Sequence, residues 1–298
     1  MLEFTKLILG DIHKIKPFFS YSKNMICDNT VGGAFMWRDY FETEYAICND
    51  TIIFKAKINY HNDVTAFSLP FGEDFHGSIG KIVEYCHHYK HQIVFYNASV
   101  ESLRGLSEIL GKNQFCKYED WSDYLYFADD LITLKGRKYH GQRNHINYFK
   151  RNYPNYSFEE INKDNITEVI EFFQKLHSNF NKSTDILSEE YVKTVEVLEN
   201  FDSYCLLGGL LKANDSIIAF SLGEILSNTL FVHIEKADVY YRGAYQVINN
   251  DFVKHFANDN IKFINRAEDN GDEGLRTAKL SYHPCKMLDK YIVFFPMD

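Results

Sequence analysis

Residues 229–256 read TLFVHIEKADVYYRGAYQVINNDFVKHF, and this stretch decides the predicted fold. Its first part, residues 229–235, alternates between a plainly apolar face and a mixed face, as a half-buried β-strand does. In its second part, apolar side chains recur every four residues at Ala244, Ile248, Phe252 and Phe256. That spacing predicts a helix with one apolar face. The stretch is therefore predicted to be a strand that leads directly into a helix.

Further elements are predicted on both sides of this stretch. In the second half of the chain they are strands at 203–211 and 217–224, a short strand at 262–265, a helix at 272–280 and a strand at 290–295. The first half repeats the order, with strands at 45–48, 52–58 and 64–69, a helix at 76–88, a strand at 92–96, a helix at 100–110 and a strand at 124–127. Each half therefore predicts three strands, a helix, a strand, a helix and a final strand.

This order of elements is typical of the GNAT acyltransferase fold. The sequence therefore predicts an α+β chain with α/β-type layers, in which two GNAT-like units stand in tandem and mixed sheets are flanked by helices. The predicted units are residues 1–128, an N-terminal GNAT-like domain, and residues 129–298, a C-terminal GNAT-like domain that holds the active-site cleft. An ordinary α+β domain without the splayed strands of a GNAT unit has the same order of elements, and that alternative stays open.

Composition limits the classes of function. The 298 residues carry 32 basic and 41 acidic side chains, a net charge of −9, which argues against a broad nucleic-acid interface. No apolar run reaches the roughly 20 residues that span a bilayer, and the first residues do not resemble a signal peptide. The six cysteines lack metal-binding or redox spacing. We expect a soluble, cytoplasmic protein with reduced thiols and no metal site.

Three places in the second half carry candidate functional side chains. On the strand at 229–235, His233 and Glu235 share one face, where an imidazole and a carboxylate can bind a polar substrate or move protons. A half-solvated strand face explains the same pattern. At the strand-to-helix junction stands Arg242-Gly243-Ala244; backbone amides at a helix start attract phosphate, and glycine permits close approach. Only this part of the GNAT cofactor-binding loop is present.

The third place follows the short strand at 262–265. Arg266, Glu268 and Asp269 come directly after that strand, at the edge where open sheets place ligands. Arg276 and Lys279 lie three residues apart on the next helix and so share a face. An acid-rich surface turn with compensating basic residues is the alternative interpretation.

Five stretches of the chain, residues 134–149, 233–238, 241–246, 265–269 and 274–284, resemble signature segments of the phosphatidylglycerol lysyltransferase C-terminal-domain family. The resemblance extends in order and spacing over most of the chain. It implies a tandem GNAT fold and the transfer of an activated acyl or aminoacyl group to an amine or hydroxyl. The best-known members of the family move an amino acid from aminoacyl-tRNA to a lipid headgroup, and these members carry a large membrane part that is not recognised here.

The resemblance also implies roles for individual side chains. Basic residues would hold the phosphates of the donor: Arg143, Lys236, Arg242 and Arg266, with Gly243, Ala244, Arg276 and Lys279 as further donor-binding positions. Glu235, Glu268 or Asp269 would bind the amino group of the transferred residue, and His233 would accept a proton. The implied partners are a small aminoacyl or acyl donor, including the acceptor end of tRNA, and a polar acceptor.

Three functions remain open on the sequence alone. The first is an acyl- or aminoacyltransferase that uses aminoacyl-tRNA or another activated donor. The second is an acyl-CoA-dependent N-acetyltransferase. The third is a non-catalytic protein that binds a small metabolite on a GNAT fold. The sequence favours a transferase and assigns no cofactor with certainty.

Overall fold

The structure is a computed structural model that describes residues 1–60, 62–118, 120–178 and 185–296. The chain forms two compact units. Unit 1 consists of Met1–Asp123, Glu268–Gly271 and Met287–Asp298, and unit 2 consists of Tyr124–Ala267 and Asp272–Lys286. Both units are discontinuous in sequence, whereas the predicted division at residue 128 gave each unit one continuous stretch.

The strands, in chain order, are β1 (Thr5–Lys6), β2 (Glu44–Cys48), β3 (Thr51–Tyr60), β4 (Asn62–Phe67), β5 (Phe71–Gly72), β6 (Ile93–Ala98), β7 (Gln114–Lys117), β8 (Asp123–Phe127), β9 (Ser157–Glu160), β10 (Leu207–Ala213), β11 (Ser216–Leu226), β12 (Thr229–Ala237), β13 (Phe263–Asn265), β14 (Lys286–Leu288) and β15 (Tyr291–Phe295). The α-helices are α1 (Ile12–Ile15), α2 (Val31–Met36), α3 (Phe75–Tyr89), α4 (Val100–Leu110), α5 (Ala128–Thr133), α6 (His140–Asn152), α7 (Ile166–Ser178), α8 (Asp185–Glu199), α9 (Phe201–Tyr204), α10 (Ala244–Phe256) and α11 (Glu273–Leu280). Short 3-10 turns at Leu9–Asp11, Lys16–Tyr21, Cys27–Asn29 and Arg137–Tyr139 complete the list.

The sheet of unit 1 has the order β1-β2-β3-β4-β6-β15-β7, with β5 paired to β3. The parallel pair is β4 and β6, which meet at Phe67 and Phe95. Helix α3 covers this sheet because Ile79, Ile82 and Cys86, spaced by three and four residues, all point into the core that contains Phe67 and Phe95. Burial of such a stripe is the main source of stability for a helix of this length.

The sheet of unit 2 has the order β14-β8-β13-β12-β11-β10-β9. Its parallel pair is β12 and β13, which pair from Thr229 and Phe263 to Phe231 and Asn265. Helix α10 packs on β10, β11 and β12 through a buried stripe that includes Val247, Ile248 and Phe252. The opening stretch of the sequence is thus a strand followed by a helix, as its periodicity predicts.

Two mixed sheets flanked by helices confirm the predicted fold class. The placement of the final strands was wrong. Strand β15, predicted to complete the second sheet, lies between β6 and β7 in unit 1, and β8, predicted to complete the first sheet, pairs with β13 in unit 2. Most residues of both strands are buried. Because neither has an apolar and a polar face, hydrophobic pattern cannot show which sheet receives them.

The parallel strands separate in both units after a short stretch of pairing. In unit 2, β12 runs on to Ala237 beside β11, beyond its last pair with β13 at Phe231. In unit 1, the chain after Phe67 turns toward β3, where Ser68 N donates to Phe54 O, while β6 continues to Ala98 beside β15. This separation is the splay that distinguishes a GNAT unit from an ordinary α+β domain. Within the described ranges, no helix combines the length and the apolar character needed to cross a bilayer.

Candidate functional site

The splay of unit 2 is bridged by the side chains of Glu235 and Arg266. Glu235 lies on β12 beyond the last residue that pairs with β13, and Arg266 comes directly after β13. Arg266 Nη2 lies 2.9 Å from Glu235 Oε1, and Asn249 Nδ2 of α10 donates to Glu235 Oε2 at 2.9 Å. Glu235 and Arg266, which the sequence assigned to two separate candidate places, therefore form one buried ion pair.

The guanidinium of Arg266 is enclosed by aromatic rings. Its Cζ lies 4.8 Å from the ring centroid of Tyr282 and 5.9 Å from that of Tyr126. Burial alone would lower the pKa of Arg266, but the charge of Glu235 and the two tyrosines raise it above its usual value. Two buried polar atoms here, Arg266 Nη1 and Asn249 Oδ1, have no hydrogen-bond partner within the described part of the chain.

Lys279 supports the backbone beside this pair. Its Nζ donates to the carbonyl oxygens of Arg266 at 2.6 Å and Ala267 at 3.2 Å, and the side chain is buried. Ala267 has a φ of 52°, in the left-handed region that residues with a side chain rarely adopt. Lys279 therefore fixes an unusual turn after β13 in this structure.

His233 is also paired inside unit 2. Its Nε2 lies 2.9 Å from Glu224 Oε1 on the neighbouring strand β11, and both side chains are more than nine-tenths buried. The half-solvated strand face considered as an alternative is therefore not what the structure shows. An imidazole held by a carboxylate is a common arrangement for accepting a proton. Lys236, the next basic residue on β12, pairs with Glu190 at 2.7 Å.

The junction Arg242-Gly243-Ala244 forms the start of α10. Gly243 has a φ of 95°, and a Cβ there would lie 2.5 Å from His145 O, so only glycine fits this position. No side chain caps the helix, which leaves its first turn without a carboxylate or hydroxyl acceptor. The guanidinium of Arg242 lies 4.7 Å from the ring centroid of Tyr148.

The other basic residues predicted to bind the donor lie elsewhere in unit 2. Arg143 on α6 donates to the backbone oxygens of Leu134 and Gly136, so it holds the turn before α6. Arg276 is half-buried on α11, where its backbone N donates to Asp272 O. The structure thus brings Glu235, Arg266 and Lys279 together. No contact joins that group to Arg143 among the hydrogen bonds of the described residues.

Glu268 and Asp269 belong to unit 1. There Lys290 Nζ lies 2.5 Å from Asp28 Oδ2, 2.8 Å from Asp123 Oδ1 and 3.0 Å from Glu268 Oε2. Cys27 Sγ lies 3.6 Å from the same nitrogen. Asp269, which is also buried, accepts a hydrogen bond from Gly271 N at 2.9 Å. We call the group formed by Cys27, Asp28, Asp123, Glu268 and Lys290 the Lys290 cluster.

Electrostatics in the Lys290 cluster depend on its burial. Burial, and then the charges of Glu268 and Asp28, raise the pKa of Asp123 to about 6, although Lys290 opposes the shift. Burial raises the pKa of the Cys27 thiol, and Asp123 and Glu268 add to that effect. Burial would lower the pKa of Lys290, but the carboxylates raise it well above its usual value. The ammonium is therefore the permanent positive charge of the cluster.

The ligand atoms of Cys27, Asp28, Asp123 and Glu268 lie within 4.8 Å of one another, as metal ligands do. The amine of Lys290, however, lies at contact distance from all four of these side chains. A bound cation would compete with this ammonium for the same oxygen atoms. The ammonium of Lys290 thus occupies the position at which a metal ion would meet these four side chains.

A pocket of about 670 Å³, counting its open mouth, lies in unit 1. It occupies the splay of that unit, because Ser68 and Leu69 follow β4 on one side while Tyr96 and Asn97 belong to β6 on the other. Its remaining lining is mainly aromatic and aliphatic and includes Trp37, Phe41, Phe54 and Trp121. The predicted cleft was placed in the second half of the chain, so sequence reasoning missed this pocket.

Two polar side chains stand out in the lining of this pocket. Asp28 links the pocket to the Lys290 cluster, and its side chain is 30% exposed. Asn97 is 9% exposed and has a φ of 52°, and its Oδ1 has no hydrogen-bond partner among the described residues. The lining comes from segments near residues 28, 37, 54, 68, 96 and 121, so no local motif marks it.

Helix α3, which follows the splayed strand in unit 1, begins differently from α10. Asp74 caps it by accepting a hydrogen bond from Gly77 N at 2.9 Å. Hydrogen bonds from Asn49 and from the Gly77 backbone lower the pKa of Asp74, so the cap is a carboxylate at neutral pH. Glu73 precedes it, which makes the start of α3 acidic.

Comparison with known proteins agrees with this fold. The chain is similar to a conserved protein of unknown function from Bacteroides thetaiotaomicron VPI-5482, with 32% identity, a TM-score of 0.89 and coverage of 99% of this chain and 100% of that one. It is also similar to L-PGS from Bacillus licheniformis, with 16% identity, a TM-score of 0.65 and coverage of 95% and 91%. An uncharacterized protein of Mycoplasmoides gallisepticum is 27% identical over 177 residues, which are 59% of this chain and 57% of that protein's length.

The sequence model of the family described as phosphatidylglycerol lysyltransferase, C-terminal, matches residues 19–294. The chain belongs to this family, which confirms the resemblance carried by the five stretches of sequence.

Proposed function

From its membership of that family, we propose that the chain is an aminoacyltransferase whose donor is an aminoacyl ester of tRNA and whose acceptor is an amine or a hydroxyl. An acyltransferase or aminoacyltransferase type of function is what the family and the relatives support. The choice of an aminoacyl ester over acyl-CoA is the finer part of the proposal. It is supported above all by the Arg266–Glu235 ion pair in the splay of unit 2.

A CoA site on a GNAT unit needs two features. The splay must be open, so that the pantetheine arm can lie beside the free edge of the strand, and the following helix must present free amides to the pyrophosphate. In unit 2 the helix start is uncapped, but Arg266 crosses the splay to Glu235. In unit 1 the splay is open, but the Asp74 carboxylate caps the helix start and would repel a phosphate. Each unit therefore has one of the two features.

The proposed transfer needs only the aminoacyl ester and the acceptor. The nitrogen or oxygen of the acceptor attacks the ester carbonyl carbon, and the bond from that carbon to the ribose oxygen breaks. The proton of the nucleophile passes to the departing ribose oxygen, which becomes a hydroxyl. We propose that His233, paired with Glu224, accepts this proton, and that Glu235 recognises the amino group of the donor. Arg242 with the start of α10 is the proposed contact for phosphates near the acceptor end.

The test compares two donors on the full-length protein. Bulk aminoacyl-tRNA carrying labelled amino acids is incubated with the protein and a panel of amine and hydroxyl acceptors, and loss of label from tRNA is followed. In parallel, acetyl-CoA is tested for thermal stabilisation and for release of free thiol. We expect label to leave tRNA faster than in buffer, with no thiol release. Thiol release together with an unchanged aminoacyl ester would overturn the choice of donor.

Two variants test whether the loss of label from aminoacyl-tRNA depends on the proposed proton acceptor. His233→Gln should slow loss of label by about 100-fold or more, because proton transfer by a positioned side chain contributes factors of that size. Arg104→Gln, an exposed change on α4, is the matched control and should leave the rate unchanged. Equal rates in both variants would show that the label is lost without His233.

A non-catalytic binding protein is the second candidate, and one observation favours it. The side chains predicted to be catalytic in unit 2, His233 and Glu235, are both buried and engaged in pairs. This candidate predicts saturable binding of a ligand and no loss of label from any aminoacyl-tRNA. Any turnover that depends on His233 excludes it.

A further inference from the structure

We propose that the pocket of unit 1 is a binding site for a primary ammonium group carried on an apolar or aromatic body. This proposal depends on the side chains of that pocket and is independent of whether the chain transfers aminoacyl groups. Three observations carry it: an excess of negative charge at one wall, a buried acceptor without a partner, and aromatic walls.

The excess of negative charge comes from the Lys290 cluster. Within this cluster of described residues, one ammonium, that of Lys290, contacts Asp123 and two further carboxylates, those of Glu268 and Asp28. Even when Asp123 is protonated, the two carboxylates exceed the one positive charge. Asp28 is the member of the cluster that lines the pocket. A second cation beside Asp28 would balance the charge, since buried charges are stable only when paired.

The unpartnered acceptor is Asn97. Its Oδ1 is buried and lacks a hydrogen-bond partner among the described residues, and the residue lines the pocket. Buried polar atoms nearly always have a partner, so an exception at a pocket wall points to a ligand that supplies the donor. An ammonium group has three donors and no acceptor, which suits a pocket lined by the acidic residue Asp28 and by Asn97.

The aromatic walls favour a cation and its organic body. Trp121 stacks on Tyr118 with centroids 4.4 Å apart, and Phe41 meets Trp121 edge-on at 6.1 Å, so the indole is held in place. Trp37 lines the pocket as well. The faces of such rings attract cations and pack against apolar groups.

The chain contains two tryptophans, and both line this pocket. Intrinsic tryptophan fluorescence therefore reports occupancy of the site. The full-length protein is titrated with phenethylamine and with 2-phenylethanol, which has the same body and a neutral head. We expect a saturable change in emission with both compounds. The amine should reach half-saturation at a concentration about tenfold or more lower than the alcohol does. Equal affinity for amine and alcohol would mean an apolar pocket only and would overturn the proposal.

Variants identify the groups responsible. Asp28→Asn should remove the preference for the amine while the alcohol binds as before. Asn97→Gly keeps the left-handed backbone and removes the acceptor, so it should weaken the amine several-fold and the alcohol little. Glu84→Gln, an exposed change in unit 1, should change neither.

The Asp28 variant can fail to fold, because Asp28 contacts Lys290. In that case Asn97→Gly still tests the proposal. The thermal midpoint of each variant shows whether it is folded. An amine preference that survives in folded Asp28→Asn, or in Asn97→Gly if the first variant does not fold, contradicts the assignment.

Discussion

Unit 1 and unit 2 each contain one parallel pair of strands with a helix between them in sequence. The space between the separating strands is open in unit 1 and is crossed by an ion pair in unit 2. In unit 1 the splay is an open pocket, and the helix after it begins under an acidic cap at Asp74. In unit 2 the splay is crossed by Arg266 and Glu235, and the helix after it begins at Gly243 without a cap. Strand order creates the opening, and the side chains beside it decide how much of that space stays free.

The buried cations of the two units show the same contrast. Lys290 in unit 1 gathers carboxylates beside the pocket and leaves the opening free. Arg266 in unit 2 lies within the opening itself. Removal of either cation should therefore destabilise its own unit, the loss being greater in unit 1.

Removing the cation of unit 1 should have the largest effect. Lys290→Met leaves several carboxylates buried without their cation, so we expect the free energy of unfolding to fall by about 3–5 kcal/mol. Urea unfolding of the full-length chain measures this. Lys81→Met, which removes an exposed pair with Glu84, is the control and should change stability by less than about 1 kcal/mol. A loss for Lys290→Met as small as for the control would mean that the cluster is not closed in solution.

Opening the splay of unit 2 should have the next largest effect. Arg266→Gln leaves Glu235 buried without its cation and should lower stability by about 2–4 kcal/mol. Adding Glu235→Gln to it should recover part of that loss, because the unpaired charge is then gone. Unfolding of the two single variants and the double variant gives the coupling. Additive losses would show that the two side chains are not paired.

The pH dependence of unit 1 should follow Asp123. Its pKa of about 6 is above the value of an unfolded aspartate, so folding takes up a proton and the contribution to stability is present at low pH. The unfolding free energy should fall between about pH 4 and pH 6 relative to that of Asp123→Asn, by about 2–3 kcal/mol, since each pKa unit corresponds to about 1.4 kcal/mol. If the unfolding free energies of the two proteins changed with pH in parallel, the titrating group would not be Asp123.

The acidic cap of unit 1 should give the smallest effect. Asp74→Ala removes the acceptor for Gly77 N and should lower the unfolding midpoint slightly, while Asp74→Ser keeps an acceptor and removes the charge. Because the pKa of Asp74 is lowered, this contribution is present at neutral pH and is lost as the pH falls through that pKa. Thermal midpoints at neutral and acid pH measure it. A serine variant as unstable as the alanine variant would mean that charge, not the hydrogen bond, supports the helix.

Local periodicity predicted the longer strands of both sheets, but it missed the short strands β1, β5, β7, β9 and β14. The strand at Thr229–Ala237 and the helices at Ala244–Phe256 and Glu273–Leu280 each follow from the types and spacing of neighbouring residues. The alternation put His233 and Glu235 on one strand face, and in the structure each is paired with another side chain. The functional roles given to these residues remain proposals, because a contact between two side chains does not reveal what they bind.

Contacts between distant segments could not be predicted in this way. Lys290 precedes a strand and reads as a surface charge, while its carboxylates come from positions 28, 123 and 268. Charges paired over such separations leave no periodic trace in the sequence. The pocket of unit 1 depends on the same kind of assembly, since Asp28 and Asn97 stand in unrelated segments. Local sequence patterns therefore predict secondary-structure elements, whereas contacts between distant segments form the Lys290 cluster and the pocket of unit 1.

The exchange of final strands has a consequence for how the chain is made. Strand β15 lies between β6 and β7, so the sheet of unit 1 lacks an inner strand until residues 291–295 have been synthesised. At typical rates of translation, roughly 10–30 s separate the emergence of residue 127 from that of residue 295. During this interval the largely apolar strand β6 presents an open edge to the cell. A nascent chain arrested after residue 286 should therefore bind chaperones or be cleaved near β6, and the completed chain should not.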